Sequence, residues 1–194
     1  MERSATHQTG KKNTQGWSYD GLSSPLCPRG SYFFTVNLED RSKKLLTENI
    51  DILREAVRVV REEHPFNLVA MAVLPDHLHA IWTLPPGDAD FSVRWRKIKA
   101  GFSRRLGKGE VISASRASKG ERGIWQRRFW EHMLRDEDDF RRHMDYLHFN
   151  PVKHGHCAQV KDWPFSTFHR CVKDGIYTED WAGDFGGPEL PIPE

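Results

Sequence analysis

Two histidines separated by one residue, His77 and His79, lie in the apolar stretch LPDHLHAIW. If this stretch forms a β-strand, alternate side chains leave the same face, and both imidazoles project together about 6.5 Å apart along the chain. Two imidazoles in that arrangement can converge on one divalent cation. The same short pattern also fits two polar residues on the wet face of a half-buried strand. A second pair, His154 and His156, flanks a glycine in a stretch that does not favour a strand, so we interpret it as two loop histidines.

The stretch DDFRRHMDYLHFNPVKHG supplies a tyrosine and an amide at helical spacing. Tyr146 and Asn150 are four residues apart and would stack one turn above the other on one helix face. A phenol can act as a nucleophile, and an amide oxygen suits a hard cation. Taken singly, Tyr146 is better interpreted as a boundary residue between helix and sheet, and Asn150 as a helix C-cap. Together with His77 and His79 they indicate a three-ligand metal site beside a nucleophile.

The surrounding elements have to bring these residues together. Apolar, β-branched stretches predict strands over residues 31–39, 66–74, 77–84 and 125–134. Helical spacing predicts helices over 47–63, over about sixteen residues after an Asp90 cap, and over 136–150, where Pro151 ends the helix. Residues 107–123 are interpreted as a mobile basic loop, and 163–172 as one more short helix. Hairpin-like connections between strands predict an α+β antiparallel sheet with helices on one face.

Length and composition favour one globular domain. The chain has 194 residues, of which 38% are hydrophobic and 29% charged. We predict a flexible leader over 1–29, the domain over 30–175 and a tail over 176–194. No apolar run approaches the roughly 20 residues that span a bilayer, and the N-terminus lacks a signal-peptide core, so we expect a cytoplasmic, nucleoid-associated protein. The three widely spaced cysteines indicate reduced thiols.

Positive charge is concentrated in one stretch, although the formal net charge is only +2. Residues 94–128 contain twelve Lys or Arg and two acids, interleaved with aromatic residues, which is what a phosphate backbone and unstacked bases require. A solvated helix face beside a basic loop explains the pattern equally well. The candidate DNA contacts are Arg94, Arg96, Lys97, Lys99, Arg104, Arg105, Arg127 and Arg128.

Two linked segments give the chain a specific resemblance. LPDHLHAIWTLP followed by RRFWEHMLRDEDDFRRHMDYLHFNPVKHG closely resembles the REP-associated tyrosine transposases, where REP denotes repetitive extragenic palindromic sequences. These proteins are relatives of single-strand transposases within the HUH endonuclease superfamily. The resemblance extends over residues 30–172 and includes YFFTVNL, DFSVRW and WPFSTFHR.

The resemblance implies a fold, a site and a substrate. The fold would be a single α+β domain with a central antiparallel sheet flanked by helices, of the HUH, ferredoxin-like or RRM-like type. His77 and His79 match the metal ligands, Asn150 the third ligand and Tyr146 the nucleophile. Mg²⁺ or Mn²⁺ would neutralise the scissile phosphate, and attack by Tyr146 would leave a 5′-phosphotyrosine and a free 3′-hydroxyl. The substrates would be REP-like DNA hairpins, cut in the adjoining single strand near a short guide tetranucleotide.

Other functions remain open at this point. The chain could be a non-catalytic, sequence-specific binder of DNA hairpins, or a zinc-dependent hydrolase in which Asp76 assists the histidines. We expect single-stranded DNA and DNA hairpins as partners, and the sequence indicates neither a membrane nor a protein partner. The resemblance leans toward a monomer, but moving DNA with one tyrosine needs two cleavages, which a homodimer would supply.

Overall fold

Four antiparallel strands form one sheet within residues 30–183, Leu190 and Ile192, which are the residues that the computed structural model describes. The strands are β1 (Ser31–Asn37), β2 (Asn67–Val73), β3 (His77–Thr83) and β4 (Trp130–Met133), in the order β2-β3-β1-β4. The α+β fold with a central antiparallel sheet is therefore confirmed. β3 is an inner strand that pairs with both β1 and β2, so its two histidines lie in the middle of the sheet. The leader predicted over 1–29 lies outside the described residues.

The fourth strand is shorter than the sequence predicts. Only residues 130–133 pair with β1, and Trp125 is joined to Leu38 by a single isolated bridge. The intervening backbone has other partners: Arg116 donates to the carbonyl of Trp125 at 3.1 Å, and Lys99 donates to that of Gln126 at 3.0 Å. The Gln126 amide still donates to the Asn37 carbonyl at 3.0 Å, so the chain stays beside the end of β1 there without continuing the regular ladder.

Six helices and one 3-10 turn complete the described structure. They are α1 (Leu45–Glu48), α2 (Ile50–Glu63), α3 (Phe91–Arg105), α4 (Ala114–Ala117), α5 (Glu137–Lys153), α6 (Phe168–Lys173) and the turn Val160–Asp162. The caps predicted at Asp90 and Asp136 are confirmed, since Asp90 accepts from the amide of Val93 and Asp136 from that of Asp139. The N-cap predicted at Thr47 is wrong, because Thr47 lies inside α1. The single helix predicted over 47–63 is divided at Asn49, whose side chain donates to the Leu45 carbonyl.

The prediction that Pro151 ends the tyrosine helix is wrong. Pro151 lies inside α5, which continues to Lys153. A proline lacks one amide donor, but near the end of a helix this removes only one hydrogen bond. The amides of His154 and His156 then bind the carbonyls of Asn150 and Pro151, at 3.0 and 2.9 Å. The extra turn brings Lys153 and His154 beside the candidate site.

Helices cover both faces of the sheet, whereas the sequence predicted helices on one face. Successive strand residues point to opposite sides. Phe34 and Trp82 pack with α2 and α3 in one core cluster, and Phe33 and Ile81 pack with α5 and α6 in the other. His79 is adjacent to Phe33, with ring centroids 5.4 Å apart, so the histidines belong to the face that α5 covers.

Structure continues beyond residue 175, where we placed the start of the tail. The hydroxyl of Tyr177 donates to the buried carboxylate of Asp145 at 2.8 Å, and the ring of Trp181 packs on Tyr177.

Cys157 and Cys171 are free thiols, and burial raises the pKa of Cys171 to about 11. Among the described residues, no helix is both long and apolar enough to cross a membrane.

Candidate metal and tyrosine site

His77 and His79 are buried side by side under the tyrosine helix. Their exposed fractions are 2% and 0%, and their ring centroids are 5.1 Å apart. A pair of polar residues on a wet strand face is therefore not what the structure shows. Strand alternation places both imidazoles on the α5 side, as the His-x-His spacing predicts.

The ring of His79 is oriented by the neighbouring strand. Thr35, its partner across the β1–β3 ladder, places its hydroxyl oxygen 3.0 Å from Nδ1. Burial is the main cause that lowers the pKa of His79 well below its usual value, and repulsion from His77 and His154 in their protonated forms would lower it further. The imidazole is therefore neutral, which is the form that ligates a metal. Its Nε2 is buried and has no hydrogen-bond partner among the described residues.

The ring of His77 is oriented by a carboxylate. Asp76 lies 2.8 Å from Nδ1, and Arg41 donates to the other carboxylate oxygen at 2.6 Å. Burial would raise the pKa of Asp76, but His77 and Arg41 together outweigh burial and hold it below its usual value. With Nδ1 bound to an anionic carboxylate, the Nε2 lone pair faces the interior of the site.

Asn150 completes a set of three candidate ligand atoms. Its Oδ1 lies 3.3 Å from Nε2 of His77. Both atoms carry lone pairs, and the unpartnered Nε2 of His79 lies on the neighbouring ring. A cation between them would satisfy all three atoms, so the donor set of two imidazole nitrogens and one amide oxygen fits a divalent metal.

Tyr146 lies directly beside this set. Its ring centroid is 5.3 Å from that of His79 and 6.2 Å from that of Phe33, both in edge-to-face contact. Asn150 follows one turn later on α5. The Lys153 ammonium lies 5.1 Å from the centre of the Tyr146 ring. The structure thus brings together the four residues that the sequence singled out.

His154, which we interpreted as a loop residue, lies at the site. It is the C-cap of α5, and its ring centroid is 5.2 Å from that of His77. His156 is exposed and stacks on Trp163 instead. The spacing of four residues between Asn150 and His154 was the signal that could have found it, provided the helix continues through the proline.

A second His/Asp group was missed by the sequence analysis. The ligating atoms of His132, Asp139 and His143 all lie within 4.8 Å of one another. His132 lies 2.8 Å from the Asp139 carboxylate, which also accepts from the Arg135 amide, and His143 Nδ1 lies 2.7 Å from the Asp139 backbone carbonyl. These hydrogen bonds join the polar atoms of the cluster to one another, and they connect β4 with the first turn of α5. We therefore assign it a structural role.

The eight candidate DNA contacts differ in their burial and in their partners. Six of them lie on α3, which packs on the face of the sheet opposite the tyrosine. Lys97 pairs with Glu63 at 2.7 Å, Lys99 is half-buried over the Phe129 ring, and Arg127 pairs with Glu121. Arg127 is exposed, as are Arg96, Arg104, Arg105 and Arg128.

Arg94 is the candidate that the structure argues against. Its side chain is buried, pairs with Asp88 at 2.6 Å and donates to the carbonyls of His64 and Pro65. A guanidinium held in this way joins α3 to the end of α2 and has no surface for a phosphate.

Replacing Arg94 by alanine should therefore affect stability rather than DNA binding. Loss of a buried, charge-assisted network predicts a decrease of about 2–4 kcal/mol in the free energy of unfolding. Urea unfolding measures it, with the exposed neighbour Arg96→Ala as control, for which we expect less than about 0.5 kcal/mol. If the Arg94→Ala variant is as stable as the wild type but binds the hairpin more weakly, Arg94 contacts DNA and our interpretation is wrong.

Comparisons with known proteins point to one family. No protein-family model matches the chain. A REP-associated tyrosine transposase of Escherichia coli K12 is 51% identical over 155 residues, covering 80% of this chain and 86% of that protein. A Haemophilus influenzae protein assigned to the same family is 47% identical over 164 residues, covering 84% and 92%. A solved REP-associated tyrosine transposase bound to a REP hairpin is 48% identical, with a TM-score of 0.72, over 85% of this chain and 91% of that one.

The solved relative shares the α+β fold with its central antiparallel sheet, and the curated relatives place the chain in the class of tyrosine transposases. The sequence identity to these relatives is about half over most of both chains, which identifies one family within this class. The chain belongs to the family of REP-associated tyrosine transposases.

Proposed function

We propose that this chain is a metal-dependent endonuclease and strand transferase that acts on single-stranded DNA beside REP-type hairpins. The observation that carries the proposal is the position of Tyr146, whose ring lies 5.3 Å from His79 and one helical turn from Asn150. The hairpin substrate is supported by the solved relative that is bound to one.

The chemical step is a transesterification at Tyr146. The phenol oxygen forms a bond to phosphorus, and the bond between phosphorus and the 3′-oxygen of the preceding nucleotide breaks. The phenol proton passes to solvent, and the departing 3′-oxygen takes up a proton. The products are a 5′-phosphotyrosine and a free 3′-hydroxyl, so attack by another 3′-hydroxyl can reverse the step and join strands.

The metal would be held by Nε2 of His77, Nε2 of His79 and Oδ1 of Asn150. When bound, Mg²⁺ or Mn²⁺ neutralises charge on the scissile phosphate. Two of the three ligand atoms are nitrogens, which suit Mn²⁺ better than the oxygen-preferring Mg²⁺. We therefore expect tighter binding of Mn²⁺. Asp76 binds the Nδ1 side of His77, away from these atoms, so it is not placed to act as the base of a zinc hydrolase.

Replacing Asp76 by asparagine should weaken metal binding. The carboxylate orients His77 and makes its ring more basic, and loss of such a contact raises a metal dissociation constant by about 10–100-fold. Titration calorimetry with Mn²⁺ measures the change. Asp40→Asn removes an exposed carboxylate from the nearby β1–α1 connection and is the matched control. Wild-type Mn²⁺ affinity in Asp76→Asn would contradict the orienting role.

The proposed function is tested with two DNA substrates, a REP-like hairpin with a single-stranded flank and the same hairpin without it. Denaturing gels after incubation with Mn²⁺ should show a covalent protein–DNA band for the flanked hairpin alone. Hairpin binding with no such band would indicate a non-catalytic binding protein. Strand cleavage with no covalent band would indicate a hydrolase.

A further inference from the structure

The tyrosine helix carries two cations on the same face as its nucleophile. Arg142 precedes Tyr146 by four residues, and Lys153 follows it by seven. At about 100° per residue, these side chains leave α5 within about 40° of Tyr146. At about 1.5 Å per residue, they lie about 6 Å before and 10 Å after it along the axis. The continuation of α5 through Pro151 is what places Lys153 in this line.

We infer that Arg142 and Lys153 bind backbone phosphates of the cleaved strand on either side of Tyr146, so that the strand runs along α5. The inference rests on the proposed function, because it needs a single strand at Tyr146. It assigns strand contacts to residues outside the basic stretch 94–128.

Lys153 is the better defined of the two positions. Its side chain is exposed, yet its ammonium lies 5.1 Å from the centre of the Tyr146 ring. On α5 it follows the candidate ligand Asn150 by three residues. Lys153 therefore lies within electrostatic range of the nucleophile, where the scissile phosphate must be placed.

Arg142 lies on the other side of Tyr146 along α5, toward the start of the helix. Its side chain is half-buried. Burial is the main cause of the lowered pKa of His143, the next residue along the helix, and the positive charge of Arg142 makes a small further contribution. The adjacent Arg141 points to a different side of α5 and pairs with Asp138 at 2.7 Å. Because Arg141 leaves α5 in a different direction from Arg142, it is a matched control for Arg142.

The charges along the row of side chains formed by Arg142, Tyr146 and Lys153 favour the binding of a polyanion. Between residues 141 and 153 the sequence contains one acid, Asp145, and its carboxylate is buried and accepts from Tyr177. The exposed arginines of α3 lie on the opposite face of the sheet and are not placed to contact a strand at Tyr146. A strand in the site would therefore meet Arg142 and Lys153 without facing an exposed carboxylate from this part of α5.

The test measures how salt weakens DNA binding in the double variant Arg142→Gln/Lys153→Gln. Each lost phosphate contact lowers the slope of log affinity against log salt by about 0.7 for a single strand. We expect a decrease of about 1.4 with the flanked hairpin, and no change with the blunt hairpin. Single-turnover cleavage at low substrate should decrease at least about tenfold. The salt slope of the control variant Arg141→Gln/Lys173→Gln should stay at the wild-type value.

An unchanged salt slope in the double variant would overturn the inference, and so would an equal loss of affinity for the blunt hairpin. These outcomes differ from failure of the proposed function. If the wild-type protein forms no covalent adduct, the nuclease proposal fails, whereas the salt slopes still report whether the strand lies on α5.

Discussion

Tyr146→Phe is expected to abolish cleavage and the covalent protein–DNA product while hairpin affinity stays within about twofold of the wild type. The substitution removes only the oxygen that would attack phosphorus. The ring contacts with Phe33 and His79 are kept, so the packing under α5 should not change. Loss of a nucleophile typically lowers the rate by about 10⁴-fold or more. Single-turnover cleavage of a flanked hairpin and a binding titration measure the two effects.

Tyr32→Phe is the matched control. Tyr32 lies half-buried on β1 and packs against Phe91, on the face of the sheet away from the metal ligands. We expect it to cleave at the wild-type rate. Cleavage by Tyr146→Phe at that same rate would show that another group, or water, attacks the phosphate.

Removal of His79 is expected to eliminate metal-dependent cleavage. His79 contributes one of three candidate ligand atoms, and the two that remain cannot fix a cation against the phosphate. We expect the Mn²⁺ dissociation constant of His79→Ala to rise at least about 100-fold, and the cleavage rate to decrease at least about 10³-fold. Titration calorimetry and cleavage across a range of Mn²⁺ concentrations measure these changes.

Two further variants make the His79 result specific. His79→Leu fills the buried space without a ligand atom, so it separates loss of metal from loss of packing. His132→Ala removes a partly exposed histidine from the second His/Asp group, and we expect it to bind Mn²⁺ like the wild type. If His132→Ala loses the metal and His79→Leu keeps it, the ion belongs to the second group and our assignment is wrong.

Local sequence patterns predicted the parts of the site that depend on one element. The His-x-His spacing placed two imidazoles on one strand face, and Asp90 and Asp136 marked the starts of their helices. The pair of Tyr146 and Asn150 required only helical periodicity. Each of these inferences uses contacts within a few residues along the chain, which is why the sequence was sufficient.

Other parts depend on where a helix ends or on how two consecutive elements pack against each other. A proline usually ends a helix, so His154 was assigned to a loop although the last turn of α5 places it at the site. His132 and Asp139 meet because β4 and α5 are adjacent at one edge of the sheet. Spacing alone does not show that adjacency.

The basic stretch illustrates a different limit. A count of charges between residues 94 and 128 cannot tell which of them face solvent or which face of the sheet they share. In the structure Arg94 is buried and Lys97 pairs with Glu63. Helix α3 lies on the face of the sheet opposite Tyr146. Two cations outside that count, Arg142 and Lys153, lie on the face of the nucleophile.

The central claim is covalent attack by Tyr146, and identification of the DNA-linked peptide tests it most directly. A flanked hairpin is incubated with the wild-type protein and Mn²⁺, the product is digested with protease and nuclease, and the modified peptide is sequenced by mass spectrometry. We predict a single modified peptide that carries a 5′-linked nucleotide on Tyr146. A nucleotide on any other residue, or cleaved DNA with no modified peptide, would contradict the mechanism.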